Sequence, residues 1–204
     1  MLALFAAPGL AQAPAAPAPV AGAPRLEPDF YAVIGVAGFE RPVEVRQSGV
    51  KRREDVATGG VVQTFLTDRA RGALVVMTAA GQRRVAFFFP LSPGQASPPL
   101  PLDLSDLQAT ARLNRIGGAN VAGRPCNLWR YNGYLNRSGM VCATSDGVVL
   151  QLTPDGRKSP LFSVISITFA RQDPRWFTIP ADYQIASLPG EGGVAVAPAP
   201  PAAH

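Results

Sequence analysis

Cys126, Cys142 and His204 are the only cysteines and the only histidine in the chain, and they bound its chemistry. Nucleophilic and acid–base catalysis need a group poised near neutral pH within hydrogen-bond reach of substrate. His204 is the last residue of an Ala/Pro run, so neither a Ser-His-Asp nor a Cys-His site is expected. Zinc and iron sites need several His or Cys at ligand spacing, which this chain lacks. Among the carboxylates, Asp103 and Asp106 read as the polar face and first turn of a short helix. Asp146 and Asp155 each precede a glycine in a turn. Gly117-Gly118 and Gly192-Gly193 lack the strand-to-helix context and the lysine of a phosphate loop. The expectation is a protein that is not an enzyme, with no catalytic residue, no metal and no cofactor.

The two cysteines flank the segment Tyr131 to Gly139, whose Asn132-Gly133 and Ser138-Gly139 steps favour turns. A hairpin folded about the midpoint, Tyr134, brings Cys126 and Cys142 opposite each other, and a disulfide is the expected result in an exported chain. Two unpaired buried thiols are the alternative.

Export is suggested by Met1-Leu-Ala-Leu-Phe-Ala-Ala, which resembles the apolar core of a signal peptide, with Gly9-Leu10-Ala11 placing small residues where a signal peptidase reads. The charged segment that precedes such a core is missing, so the true start is expected upstream. The apolar stretch is too short to span a bilayer, and no cysteine follows it to carry a lipid anchor. The expected location is the periplasm, with no integral membrane segment in the mature chain. An Ala/Pro tail on a cytoplasmic protein is the other reading.

The 204 residues carry a formal charge of +5, and arginine supplies nearly all of the excess, since the lysines are only Lys51 and Lys158. Many of the cations lie early, from Arg41 to Arg84, and a basic face of this kind could meet anionic lipid. A solvated sheet face is the plainer and preferred reading. Nucleic acid is not an expected partner, because no recognition motif is present.

The elements that must hold these residues follow a period of two. Strands are expected at Pro42 to Gln47, Val61 to Thr67, Ala73 to Thr78 and Arg84 to Phe89, with a charged turn at Lys51 to Asp55 and a loop from Pro90 to Pro101. Further strands are expected at Ala109 to Ile116, Ala119 to Tyr131, Gly139 to Thr144, Val148 to Thr153 and Ser163 to Arg171. Turns are expected at Gly117-Gly118, Asp146-Gly147 and Asp155-Gly156. Helical segments are expected at Glu27 to Val36, at Leu102 to Ala111 with Ser105 as N-cap, and around Asp173 to Phe177. Residues 1-24 read as a signal remnant and an Ala/Pro-rich disordered segment, 25-188 as one β domain, and 189-204 as a disordered tail.

Aromatic side chains are the best lead to a binding surface. Phe65, Phe87, Phe88, Phe89, Trp129 and Phe169 are the candidates for a hydrophobic ligand face. Phe87, Phe88 and Phe89 are consecutive, so a strand points Phe88 away from its two neighbours. Ordinary core is the plain alternative for each.

Three stretches carry a family likeness. Ala119-Asn-Val-Ala-Gly-Arg-Pro-Cys-Asn-Leu-Trp-Arg-Tyr resembles the I-A-G-Y-x-C-x-x-Y strand of a family of uncharacterised exported proteins, a domain of unknown function. Cys142-Ala-Thr-Ser-Asp-Gly-Val-Val-Leu-Gln-Leu resembles that family's strand, turn and apolar strand. Trp176-Phe-Thr-Ile-Pro-Ala-Asp-Tyr is similar to its terminal F-x-x-P-x-G-Y, with Asp182 in place of the usual glycine. The family is similar to the LolA/LolB/RseB lipoprotein-carrier-like superfamily. That resemblance implies a mainly β (α+β) fold: a curled antiparallel sheet forming an unclosed half-barrel, with one or two helices on its concave face. It also implies a non-catalytic periplasmic binding or carrier module for a lipid or acylated partner. The alternative is an envelope protein–protein interaction or regulatory domain without a ligand cavity. The sequence leaves the oligomeric state open.

Overall fold

Phe30, Ala32 and Ile34 are buried while Tyr31 and Val33 between them are only partly so, and this alternation makes the first described segment a strand. The computed structural model describes residues 28–91 and 100–186. The expected terminal segments 1-24 and 189-204, and most of the loop between Pro90 and Pro101, lie outside the described residues.

Six strands follow in a meander: β1 (Phe30–Val36), β2 (Val43–Ser48), β3 (Lys51–Thr58), β4 (Val61–Asp68), β5 (Ala73–Ala80) and β6 (Arg83–Pro90). After helix α1 (Leu104–Thr110) a second meander runs through β7 (Arg112–Val121), β8 (Arg124–Tyr134), β9 (Arg137–Ala143), β10 (Val149–Pro154) and β11 (Phe162–Phe169). A short 3-10 helix (Pro174–Phe177) leads to β12 (Gln184–Ala186). The described strands form one twelve-stranded sheet in the order β12-β6-β5-β4-β3-β2-β1-β11-β10-β9-β8-β7. Neighbours pair antiparallel, apart from β12, which lies parallel to β6. This is the expected unclosed half-barrel, with one α-helix inside it.

The strand order forces two long crossings. From β6 the chain must reach β7 at the opposite edge, and the described end of that connection lies on the inner face, with Leu100, Leu102, Leu104 and Leu107 in the main core. From β11 it must return to β6, and a strap of residues 170–183 carries it over the outer face. There Ile179 and Tyr183 pack on a second, smaller cluster of Leu66, Val75, Met77 and Ala86. Each connection therefore covers part of one face.

Several expectations are corrected. Within the helix expected over Glu27 to Val36, Phe30–Val36 is instead strand β1, because tertiary burial of every second residue overrides the Pro28 and Gly35 helix signals; Glu27 lies outside the described residues. The charged segment Lys51 to Asp55 is not a turn but the first half of β3: Arg52 and Glu54 point inward and Arg53 and Asp55 outward. Gly117-Gly118 is no turn either. Both glycines lie within β7, beside a bulge at Ile116, and the chain reverses at Ala122-Gly123, where both residues have positive φ. The single strand expected from Ala119 to Tyr131 is accordingly two. The segment from Ala109 begins as the end of α1, and the helix is capped by Asp103, whose carboxylate accepts from the Ser105 N–H at 2.8 Å, rather than by Ser105.

Candidate functional site: a cleft under the outer strap

Cys126 and Cys142 form a disulfide between β8 and β9, with Cα atoms 5.6 Å apart. They sit diagonally rather than opposite, since Cys142 faces Leu128 in the register. The reason is local. Leu135 and Asn136 make the two-residue turn with positive φ, while Gly133 sits at a bulge that shifts the register between Asn132 and Tyr134.

The candidate aromatics divide between the faces. Cross-strand rows place Glu54, Phe65, Val76 and Phe87 in one line on the inner face, and Arg52, Thr67, Leu74 and Phe89 in the next. Trp129 packs against the same core from β8, and Phe169 sits at the end of β11 with its ring edge-on to Phe30 at 6.2 Å. These five are spread over β4, β6, β8 and β11. Phe88 stands alone on the outer face, in the row Arg53, Leu66, Val75 and Phe88.

That row floors a cleft of about 770 Å³ between the outer face of β3–β6 and the strap. Leu66, Val75 and Phe88 form its apolar base, Phe177 and Ile179 its strap wall, and Lys51, Asp68 and Arg71 stand at its polar end. Phe88 remains 37% exposed there. A concave site of this size with few polar groups suits a small ligand or one apolar segment of a larger one.

The strap that walls the cleft is held on both sides. Upstream, the Trp176 ring lies under the Arg46 guanidinium at 4.1 Å and near that of Arg53 at 5.3 Å, and Arg53 Nη1 donates to the Trp176 carbonyl at 3.2 Å. Asp55 fixes Arg53 through a 2.8 Å ion pair. Downstream, Asp182 pairs with Arg84, and β12 adds to the edge of β6. Asp182, the departure from the family pattern, is therefore one end of a strap anchor.

The inner face has its own polar insertion. Arg52 and Glu54 are 3% and 1% exposed, with Arg52 Nη1 3.9 Å from Glu54 Oε1. Arg52 Nε donates to Gln47 Oε1 at 2.9 Å, but among the described residues neither Glu54 oxygen has a well-formed hydrogen bond, the Leu100 backbone being the nearest approach to one. Burial pushes the Glu54 carboxyl up to about 8, against the opposing pull of Arg52 and the nearby Leu100 backbone. Above this pair, Arg69 in the β4–β5 turn grips α1 through Asp103 at 3.5 Å and Asp106 at 2.5 Å. Asp103 and Asp106, set aside in the sequence as helix-start residues, are helix anchors. Asp155 ion-pairs with Arg130 at 2.6 Å. Among the described residues no group of three His, Cys, Asp or Glu could hold a metal ion, and no helix is long and apolar enough to cross a membrane.

Sequence reasoning reached Phe88 and the alternation that isolates it, but not its partners. Leu66 and Val75 read as ordinary strand residues, and Phe177 and Ile179 as parts of a terminal signature. The signal that unites them is strand order, which makes the strap cross this face.

No protein-family model matches the chain, and no curated protein matches it. Among solved structures it is similar to a crystal structure of MucB at 17% identity and a TM-score of 0.39, covering 78% of this chain and 60% of that one. It is similar also to MucB in complex with MucA(peri), at 17% and 0.38, and to the complex of Pseudomonas aeruginosa MucA/MucB, at 17% and 0.39. Both of these alignments cover 80% of this chain, and they cover 58% and 60% of the respective structures. The chain thus spans less than two thirds of the length of each of these three.

Proposed function

We propose that the protein is a non-catalytic binding module of the periplasm that holds a hydrophobic partner in the outer-face cleft. The observation that carries this reading is the cleft itself: an apolar floor of Leu66, Val75 and Phe88 left open between two strap anchors. The disulfide agrees with an oxidising compartment. On the concave face, Leu100, Leu102, Leu104 and Leu107 already occupy the core beside α1, which supports the outer cleft as the site.

An uncharged environment-sensitive dye such as N-phenyl-1-naphthylamine should bind saturably, near one per chain. Phe88→Asp should abolish that binding with the circular dichroism spectrum retained, because an ionised group in an apolar site costs several kcal/mol. Ile116→Asp, at an exposed position on edge strand β7, should leave binding unchanged. Absence of saturable binding, or an unaffected Phe88→Asp variant, sinks the reading.

The packing of α1 and residues 100–104 into the inner-face core favours a second reading, an envelope interaction domain that binds a protein and has no ligand cavity. Failure of the dye experiment would leave that one standing.

A further inference from the structure

We infer that the occupant of the cleft is a free single-chain amphiphile with an anionic head, its chain on Phe88 and its head between Lys51 and Arg71. This rests on the cleft being a binding site and adds the chemical class of its ligand. Charge complementarity carries the inference. The apolar floor ends at the row Lys51, Asp68, Ala73, where the β4–β5 turn brings Arg71 to the same rim. Lys51 is exposed and makes no ion pair among the described residues.

Asp68 is the one carboxylate in this lining, and it is engaged by its own turn. Its Oδ1 accepts from the Arg71 N–H at 3.2 Å, and its Oδ2 lies 3.7 Å from the Arg71 guanidinium. The Arg71 side chain is 79% exposed, so that pair is loose and its remaining donors face outward. Arg52 also borders the cleft but directs its side chain to Glu54 on the inner face, so Lys51 and Arg71 stand against one committed anion and leave a positive rim on an apolar slot. A fatty acid or a lysophospholipid matches both halves. An acyl chain attached to a protein through a neutral amide matches only the slot.

The experiment is displacement of bound N-phenyl-1-naphthylamine by three ligands of equal chain length: dodecanoate, dodecanol and amide-capped N-dodecanoylglycine, which mimics a protein-linked acyl group. Dodecanoate should displace the dye at about tenfold lower concentration than either neutral ligand, and the advantage should shrink in high salt. With each ligand's potency normalised to the variant's own dye affinity, the Lys51→Gln/Arg71→Gln double variant should lose most of the dodecanoate preference over dodecanol. Equal potency of the three ligands, or a preference that survives the double substitution, overturns the headgroup assignment while the cleft stands. If the acylglycine amide is the most potent, the partner is an acylated protein and the inference fails. If the dye itself does not bind, the cleft reading and this one fall together.

Discussion

Arg52 and Glu54 lie side by side on the inner face of β3, both almost fully buried, with Nη1 and Oε1 separated by 3.9 Å. That distance permits attraction between charges but not a hydrogen bond, and among the described residues Arg52 Nη1 and both Glu54 oxygens lack a well-formed one. Burial dominates the carboxyl and raises its pKa, so the pair is a protonated acid beside a guanidinium over much of the neutral range.

A pH dependence follows. Folded Glu54 keeps its proton up to about pH 8, whereas the unfolded chain releases it near 4.5. Between those values the folded state binds more protons, so this group's contribution to stability is greatest below 4.5 and is lost as pH rises towards 8. Urea midpoints measured from pH 5 to 8 should fall with pH in the wild type. Glu54→Gln, neutral throughout, should flatten the decline and match or exceed the wild type at pH 8. Parallel curves for the two proteins would assign the dependence elsewhere.

Reduction of Cys126–Cys142 should lower stability by about 3 kcal/mol without abolishing the fold, because the closed loop is short and the main core is large. The urea midpoint of the Cys126→Ser/Cys142→Ser variant tests the size. Alkylation of the denatured, unreduced protein should label neither cysteine, and full labelling of both would contradict the bond.

Much of the sheet was legible because alternation is visible wherever apolar and polar residues take turns, as in Val43 to Gln47. It was hidden at Lys51 to Asp55, where the buried positions carry Arg52 and Glu54 and the inward face looks as polar as the outward one. It was hidden again at Phe30 to Val36, where the partly buried positions are apolar too. The disulfide was legible from two cysteines around one turn, although its diagonal offset depended on the Gly133 bulge. The cleft was not legible. Its wall, Phe177 to Ile179, and its floor, Leu66 to Phe88, are about ninety residues apart or more, and only the crossing from β11 to β6 brings them together.

Gly139 should be intolerant of any side chain. A Cβ there would overlap the Thr153 carbonyl oxygen and the Tyr131 ring, coming within 2.6 Å of Tyr131 Oη. The carbonyl belongs to strand β10 and cannot move without distorting the ladder, so Gly139→Ala should cost about 3 kcal/mol. Gly117→Ala is the control: nothing lies within 4 Å of its added Cβ, and the change should stay within about 0.5 kcal/mol. Similar urea midpoints for the two variants would show that the Tyr131 contact is not as close as described.

Trp176 should act as the latch of the strap rather than as part of the core, since the residue is 42% exposed and its ring lies against two guanidinium groups. Trp176→Ala removes both cation–π contacts and should cost about 1 kcal/mol, the size expected at a half-exposed site. The loss should be local. The amides of Trp176, Thr178 and Tyr183, which bond within the strap, should exchange hydrogen faster, while those in β1 and β2 keep their wild-type protection. Because Phe177 and Ile179 wall the cleft, the variant should also bind the neutral dye more weakly than wild type. Trp176→Phe keeps a ring for Arg46 to cover and should recover part of both effects. Uniformly faster exchange across the sheet would mean that Trp176 supports the whole fold. Unchanged exchange in the strap would mean that Arg84, Asp182 and β12 hold it alone.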